Sequence, residues 1–338
     1  MTQTTDNVTS VRLAFFGTPE IAAVHLRALL AASWRPVVVV TQPDRRAGRG
    51  NRLKAPVVKQ VAEEAGLTVW QPERIRKRAT IDTFAAWNID VAVVVAYGQI
   101  LAARMLQAPR LGTYNVHASL LPRWRGPAPI EWALLAGDET TGVTLQRMVR
   151  RLDEGPILGA RSLAIDAADD RESLHDKLAP LGAELLVETL PRILEGRAEE
   201  TPQAEEGVTY APIPTRAEAW LEPRSMSAVE VHRRVRALGA NPGTWVEAVL
   251  AEGEARGLKL LRVEPVSERE VTQWSLAGRH AAPGERVHDT ASAHDFVVAC
   301  AQQTYLRIRR CQPASKPPMD AKAYLAGHKV VALRAPDE

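Results

Sequence analysis

The stretch DVAVVVA at residues 90–96 is apolar at consecutive positions, and it decides the class of fold. A strand that is apolar on both faces is buried on both faces, as in a parallel sheet covered by helices. Apolar runs at 11–16 and 37–41 precede it, and helix-like segments at 21–32 and 56–65 separate the runs. This β-α-β-α order predicts an α/β domain with a doubly wound, mainly parallel sheet.

The second half of the chain has a different texture. Residues 199–216 are polar, acidic and proline-containing, without helical or strand periodicity, which is typical of a linker. A helical pattern at 227–238 follows, and then short strand candidates at 244–250, 258–264, 295–300 and 304–310. We therefore predict a first domain over 1–198, a linker over 199–216, and a small β-barrel domain over 217–338.

Composition excludes several classes of protein. Of 338 residues, 46% are hydrophobic and 25% are charged, as in a folded globular protein. No apolar run approaches the ~20 residues that span a bilayer, so no membrane association is predicted. The polar N-terminus and the presence of two cysteines, Cys300 and Cys311, predict a cytoplasmic protein without a disulfide framework. The eight histidines are scattered without ligand spacing, so no metal is predicted.

Charge is small in total but uneven along the chain. The formal net charge is +3, yet residues 45–59 contain six basic and no acidic side chains, and residues 303–334 contain seven basic side chains and one acid. Two basic stretches are a first indication of an anionic partner. The first strand-to-helix turn, FFGTPEI, has one glycine, which argues against a dinucleotide site, and we expect Thr18 to cap the helix that follows.

The segment NVHASLLPRWRGPAPI at 115–130 contains the residues best suited to chemistry. Asn115 and His117 are two apart, so on a strand they would face the same side. An amide beside an imidazole can polarise a carbonyl and stabilise an oxyanion, and Asp153 is the candidate carboxylate partner. The pattern alone leaves plainer readings open, namely a hydrogen-bonded loop histidine and an aspartate that serves a turn.

The same segment resembles the signature of the folate-dependent formyltransferases, and within them the enzymes that act on methionyl-tRNA. FFGTPEIA at 15–22, TQPDRRAGRGNRL at 41–53, VVAYGQIL at 94–101 and LDEGPIL at 152–158 match in the same order. The resemblance implies transfer of a formyl group from 10-formyltetrahydrofolate to the α-amino group of initiator methionyl-tRNA. It also implies that the β domain is an OB-like barrel that binds tRNA.

Site residues follow from the resemblance position by position. Asn115 would hold the formyl oxygen, His117 would stabilise the oxyanion or pass a proton to the leaving nitrogen, and Asp153 would keep the imidazole protonated. The residues implied for folate are Ser119, Leu120, Leu121, Pro122, Tyr97 and Gly98. Those implied for tRNA are Arg45, Arg46, Arg49, Arg52, Lys54, Arg307 and Arg309.

The sequence departs from the family pattern at two places, and two alternative functions stay open. Where the family usually reads MDxGLDxG, this chain reads MVRRLDEG at 148–155, and it lacks the lysine usual after Tyr210-Ala211. One alternative is an amino-sugar N-formyltransferase, which would share the Asn, His and Asp but not the basic loop. The other is an RNA-binding protein with an inactive formyltransferase domain. A monomer is expected because no exposed apolar helix face is evident.

Overall fold

The computed structural model describes residues 11–47, 52–239, 241–274, 280–287 and 295–335. They divide into two compact units. One lies within 1–129, 139–167 and 172–211, and the other within 130–138, 168–171 and 212–338.

The first unit contains a seven-stranded sheet in the order β5-β2-β1-β6-β7-β8-β9. The strands are β1 (Leu13–Gly17), β2 (Val38–Val40), β5 (Val69–Trp70), β6 (Val91–Val95), β7 (Gly112–His117), β8 (Thr140–Arg147) and β9 (Ile157–Ala164). The five strands from β5 to β7 are parallel, and β8 and β9 continue the sheet in antiparallel pairing. This confirms the predicted mainly parallel α/β sheet.

Helices connect these strands and complete the unit. They are α1 (Glu20–Ala31), α2 (Val57–Glu64), α3 (Arg78–Ala85), α4 (Ala103–Leu106) and α6 (Arg171–Leu194), the last beginning one residue before the range assigned to this unit. Between β2 and α2, the strands β3 (Arg45–Ala47) and β4 (Arg52–Lys54) form an antiparallel hairpin. All five residues of β6 are buried, which is the burial on both faces that its unbroken apolar sequence predicts.

The predicted cap at Thr18 is wrong. Pro19 occupies the N-cap position of α1, and no side chain caps this helix. The Thr18 hydroxyl instead donates a hydrogen bond of 2.8 Å to the carbonyl oxygen of Tyr97. That bond joins the loop after β1 to the loop after β6, so the side chain stabilises the carboxyl edge of the sheet.

The second unit is an antiparallel, nearly closed barrel. Its strands are β10 (Thr244–Leu250), β11 (Ala255–Pro265), β12 (Phe296–Cys300), β13 (Thr304–Pro313), β14 (Met319–Asp320) and β15 (Val330–Arg334), paired in the order β12-β13-β11-β10-β15 with β14 on β13. Isolated bridges from Glu285 to Ala332 and from Arg286 to Val298 link the two ends of this order. The predicted small β-barrel is confirmed.

Helices of the second unit are α5 (Pro129–Ala136), α7 (Arg216–Ala219), α8 (Ala228–Leu238), α9 (Glu268–Val271) and α10 (Ala321–Gly327). Ser227 caps α8 in a capping box with Glu230, since each side chain accepts a hydrogen bond from the other residue's backbone N–H. Apolar side chains of α8, α10 and the strands form the barrel core. No helix in the described ranges is both long and apolar enough to cross a membrane.

The segment expected to be a linker is partly built into the first unit. We call residues 201–211 the strap. Thr201 exchanges two backbone hydrogen bonds with Ile157, and Ala211 donates to the carbonyl oxygen of Arg125 at 2.8 Å. A polar, irregular sequence is therefore held here by hydrogen bonds rather than by apolar burial.

His25 lies on the buried face of α1, where it is 1% exposed. Its Nδ1 lies 2.7 Å from the carbonyl oxygen of Ile21, which assigns the proton to this nitrogen, and Nε2 has no hydrogen-bond partner among the described residues. The site that a Cβ on Gly182 of α6 would occupy is 2.8 Å from Nε2, so the helices approach closely here. Burial lowers the pKa of His25 to about 4.

We expect this histidine to make the protein less stable in acid. In the unfolded chain it takes a proton below pH ~6.5, whereas the folded protein resists protonation down to about pH 4. Stability is therefore complete above this window and falls as pH decreases through it, by about 2 kcal/mol at pH 5. Urea unfolding at pH 7 and pH 5 gives the free energy of unfolding that the wild type and His25→Leu each lose between these pH values. The difference between the two losses is the contribution of His25.

His280→Leu is the matched control, because His280 is exposed. It should lose as much stability as the wild type between the two pH values. An equally large loss in His25→Leu would contradict the assignment.

Candidate active site

The candidate catalytic residues meet on one face of the sheet where parallel pairing gives way to antiparallel pairing. Asn115 and His117 lie on β7, and on β8 Gln146 lies opposite Asn115 while Thr144 lies opposite His117. Directly opposed residues share a face, so two amides, an imidazole and a hydroxyl are presented together. Asn115 is half-buried, and its amide makes no hydrogen bond to the described residues.

The imidazole of His117 is buried and fixed on one side. Its Nε2 lies 2.8 Å from the carbonyl oxygen of Trp124. A carbonyl oxygen can only accept, so Nε2 has the proton and donates it. Its Nδ1 faces Asp153, with 3.8 Å between Nδ1 and Oδ2. The ring is therefore oriented by the loop while its other nitrogen is directed at a carboxylate.

Asp153 lies beyond the end of β8, in the connection to β9. Its Oδ2 accepts from the backbone N–H of Gly126 at 2.9 Å, and its Oδ1 accepts from Nε2 of Gln146 at 2.9 Å. Its side chain is 8% exposed. Two donors and a facing imidazole keep this buried carboxylate in one orientation.

Three residues around these contacts have left-handed backbone conformations. The φ angles are +63° at Trp124, +52° at Asp153 and +125° at Gly126. Such conformations cost of order 1 kcal/mol or more for residues other than glycine. They orient the Trp124 carbonyl, the Asp153 carboxylate and the Gly126 N–H, so the backbone geometry serves the site.

The predicted folate segment follows β7 directly. Ser119 is fully buried, and its hydroxyl donates 2.6 Å to the carbonyl of Arg123. Thr144 donates from its hydroxyl to the Ser119 carbonyl at 2.7 Å and accepts from the Leu121 N–H at 3.1 Å. These bonds shape the loop, in which Leu121 is buried and Leu120 and Pro122 are half-buried.

Tyr97 and Gly98 lie in the loop after β6. The Tyr97 ring is 2% exposed and packs edge-on against Phe16, and burial raises the pKa of its hydroxyl. Its carbonyl oxygen accepts from the side chain of Gln42 at 3.2 Å. In this conformation the side chain of Tyr97 is inaccessible to a ligand, whereas Gly98 is exposed.

The first basic stretch forms the hairpin of β3 and β4. Cross-strand pairs place Arg45 beside Lys54 and Ala47 beside Arg52. Its basic side chains Arg45, Arg46, Arg52 and Lys54 are all exposed. Arg49 falls outside the described residues. The exposed cations are consistent with a surface that meets an anion.

The two barrel arginines implied for tRNA differ in exposure. Arg307 is 7% exposed, and its guanidinium pairs with Glu264, Glu270 and Asp295. These three carboxylates argue against its predicted role as a phosphate contact, because moving it to the surface would leave them unpaired. Arg309 pairs with Glu264 but keeps 41% of its side chain exposed.

A cavity of about 560 Å³ on the barrel is lined by Arg262, Glu264, Arg309, Arg310 and Asp320. Arg262 of β11 lies directly opposite Arg310 of β13, and both are exposed. Like charges in this position repel, and Asp320 of β14, also opposite Arg310, offsets part of that repulsion, so the lining of three arginines and two acids remains basic by one charge. Sequence reasoning missed Arg262, because strand alternation gives no information about which strands become neighbours.

Other contributors were also missed. Gln146, Gly126 and Trp124 contact the catalytic pair directly, and Gln203 of the strap contacts the Asp153 backbone. Gln146 could have been found as a polar residue within VTLQRMV at 143–149, a strand-like stretch, but Gln203 sits in a polar stretch with no pattern. In the described part of the chain, no group of three or more His, Cys, Asp or Glu side chains could hold a metal ion.

Comparison with known families identifies both parts of the chain. The formyl transferase model matches residues 11–190, and the formyl transferase C-terminal domain model matches residues 215–329. The chain belongs to the formyl transferase family. Asn115, His117 and Asp153 all lie within the first match, and the barrel corresponds to the second.

Individual relatives in this family cover nearly the whole chain. Methionyl-tRNA formyltransferase of Halorhodospira halophila is 46% identical over 323 residues, which are 95% of this chain and 98% of that protein. That of Phenylobacterium zucineum is 42% identical over 328 residues, with the same two coverages. WlaRD, a sugar 3N-formyl transferase solved in the presence of dTDP and 5-N-formyl-THF, has a TM-score of 0.61 at 15% identity, covering 91% of this chain and 99% of its own. This likeness concerns the fold.

We expect Gly126→Ala to destabilise the formyl transferase unit. The new Cβ would lie 2.8 Å from the carbonyl oxygen of Ala211, and φ is +125°. Steric overlap and backbone strain together should cost about 3 kcal/mol. Thermal or urea unfolding measures this loss.

The control is Gly207→Ala, where φ is +77° and no atom lies within 4 Å of the Cβ position. It should cost about 1 kcal/mol, from the left-handed backbone alone. Equal losses in the two variants would contradict the claimed contact between the loop and the strap.

Proposed function

We propose that this formyl transferase transfers the formyl group of 10-formyltetrahydrofolate to the α-amino group of methionyl initiator tRNA, giving formylmethionyl-tRNA for translation initiation. The single observation that carries the proposal is the identity of 46% over 95% of the chain to a methionyl-tRNA formyltransferase. The paired His117 and Asp153 and the exposed basic hairpin support it. We further propose a monomer in the cytoplasm, where the buried free thiols of Cys300 and Cys311 would stay reduced.

The geometry assigns each catalytic residue a task. Asn115, whose amide has no partner among the described residues, donates to the formyl oxygen as it becomes an oxyanion. The amine nitrogen attacks the formyl carbon, and the bond from that carbon to the folate nitrogen breaks. One proton leaves the amine and one arrives on the folate nitrogen, so the transfer is balanced.

Asp153 and His117 provide the route for that proton. The 3.8 Å between Oδ2 and Nδ1 is longer than a hydrogen bond, and such catalytic contacts often shorten when substrate binds. The carboxylate takes the proton from the amine and passes it to Nδ1 of His117. The imidazolium then stabilises the tetrahedral oxyanion and delivers that proton from Nδ1 to the leaving nitrogen. The bond to Trp124 keeps the ring in place throughout.

Different residues are proposed to bind the two substrates, folate and tRNA. For folate we propose the loop of Ser119, Leu120, Leu121 and Pro122 with Gly98 and the backbone of Tyr97. For tRNA phosphates we propose the hairpin residues Arg45, Arg46, Arg52 and Lys54, together with Arg262, Arg309 and Arg310 of the barrel cavity. Arg307 is left out of this set because its guanidinium is already paired with the carboxylates of Glu270 and Asp295.

We expect His117→Ala to abolish transfer and to leave tRNA binding unchanged. Loss of the acid-base group should lower kcat by at least about 100-fold. The assay follows labelled formyl from 10-formyltetrahydrofolate to methionyl initiator tRNA, with uncharged tRNA and an amino sugar as alternative acceptors. His280→Ala, an exposed histidine, is the control.

Each result has a definite meaning. Label on the amino sugar alone would replace the proposal by the sugar formyltransferase alternative. Binding of tRNA without transfer by the wild type would favour the inactive RNA-binding protein.

The hairpin is tested through the salt dependence of tRNA binding. Neutralising one phosphate contact should reduce the slope of log affinity against log salt by about 0.7–0.9. Arg52→Gln and Lys54→Gln should each do so, and the double variant should add the two effects. Arg78→Gln on α3, whose side chain is 86% exposed, is the control and should leave the slope unchanged. An unchanged slope in the double variant would refute the assignment of the hairpin.

A further inference from the structure

The strap joins the two loops that hold the catalytic pair. At one end, Thr201 and Ile157 exchange backbone hydrogen bonds of 2.7 and 2.9 Å just beyond Asp153. At the other end, Arg125 donates to the carbonyl of Thr209 at 2.9 Å, and the Thr209 hydroxyl accepts from the N–H of Trp124 at 2.9 Å. The strap thus fixes both the segment after Asp153 and the residue whose carbonyl accepts from His117.

Gln203 makes the central side-chain contacts between these ends. Its Nε2 donates to the carbonyl oxygens of Asp153 at 2.7 Å and Gly155 at 2.9 Å. Its Oε1 accepts from Arg125 Nε at 3.1 Å and Nη2 at 2.8 Å. Nη1 of Arg125 in turn lies 3.4 Å from Oε1 of Glu154. One amide therefore connects the turn that contains Asp153 to the loop that contains Gly126.

The chemistry of an amide suits this position. Two carbonyl oxygens on one side need a donor, and a guanidinium on the other side needs an acceptor. A carboxylate could satisfy the arginine but not the carbonyls, and an ammonium could do the reverse. The carbonyls must be held because Asp153 has a φ of +52°, a left-handed conformation that costs free energy for any residue other than glycine.

We propose that Gln203 is a positioning residue for formyl transfer, which acts through Asp153 by fixing the left-handed turn against the loop of Arg125 and Gly126. This rests on the proposed function. If the turn relaxes, the Asp153 carboxylate moves relative to Gly126 and His117, and the proton route between amine and imidazole lengthens. Displacements of about 1 Å in such geometry cost up to about 100-fold in rate.

The test compares Gln203→Glu and Gln203→Met with Glu206→Gln, a matched substitution at an exposed position of the same strap. Gln203→Glu keeps the size and the acceptor for Arg125 but removes the donor to Asp153 and Gly155. We expect kcat for methionyl-tRNA to fall about 10- to 100-fold in both Gln203 variants, with KM for tRNA and for folate unchanged. Glu206→Gln should match the wild type.

A double-variant cycle tests the route of the effect. If Gln203 acts through Asp153, Gln203→Met should cause little further loss in an Asp153→Asn background. Full additivity of the two losses would overturn the positioning role. The positioning role would also be overturned by a change in KM without a change in kcat, or by a wild-type kcat in Gln203→Glu.

A readout without substrate separates this inference from the proposed function. Nuclear magnetic resonance of the intact, substrate-free protein should show the Gly126 amide and the His117 ring resonances displaced in Gln203→Glu and unmoved in Glu206→Gln. Unmoved resonances in Gln203→Glu would overturn the inference. If the wild type fails to formylate methionyl-tRNA, the proposed function fails, and the resonances still decide the role of Gln203.

Discussion

The carboxylate of Asp153 is the point on which the geometry of the site depends. It contacts β7, the loop after β7 and β8, through the imidazole of His117, the backbone of Gly126 and the amide of Gln146. A buried carboxylate without such partners would be costly, so the fold that accommodates it also fixes the surrounding loops. Catalytic geometry and local stability are consequences of the same hydrogen bonds.

Arginine serves two distinct purposes in this chain. Buried Arg307 and Arg125 are each matched by acceptors, and they bind segments of one unit together. Arg52 is exposed, and so are Arg262 and Arg310, which lie opposite each other, with Asp320 opposite Arg310 on β14. The difference lies in burial, since desolvated guanidinium groups require compensation that exposed ones do not.

Local pattern predicted the sheet and the shared face of Asn115 and His117, whereas the resemblance to a known family implied the roles of Asn115, His117 and Asp153. An unbroken apolar strand at 91–95 implies burial on both faces, and the spacing of Asn115 and His117 implies a shared face. The position of Asp153 was predicted by resemblance, but its left-handed turn was not, because aspartate occurs in many turns. Local pattern carries information about neighbours within a strand or helix.

Contacts between distant segments were not predictable in this way. The three acids around Arg307 come from β11, α9 and the residue before β12, and alternation along β13 says nothing about them. Strap residues looked like a linker because they bury little apolar surface. Their order comes from hydrogen bonds whose partners lie about 50 to 85 positions earlier in the chain.

The strap also bears on how a two-part protein of this kind can be recombined during evolution. A break in the chain at the compositional boundary near residue 198 would separate the first unit from residues that pair with its own loops. A junction after Ala211 leaves those pairs intact, since every strap bond described above is made within the first unit. Exchange of the barrel for another domain is therefore least disruptive downstream of the tyrosine-alanine pair. The boundary at which the first unit can be inherited on its own lies inside the segment that composition alone marks as a linker.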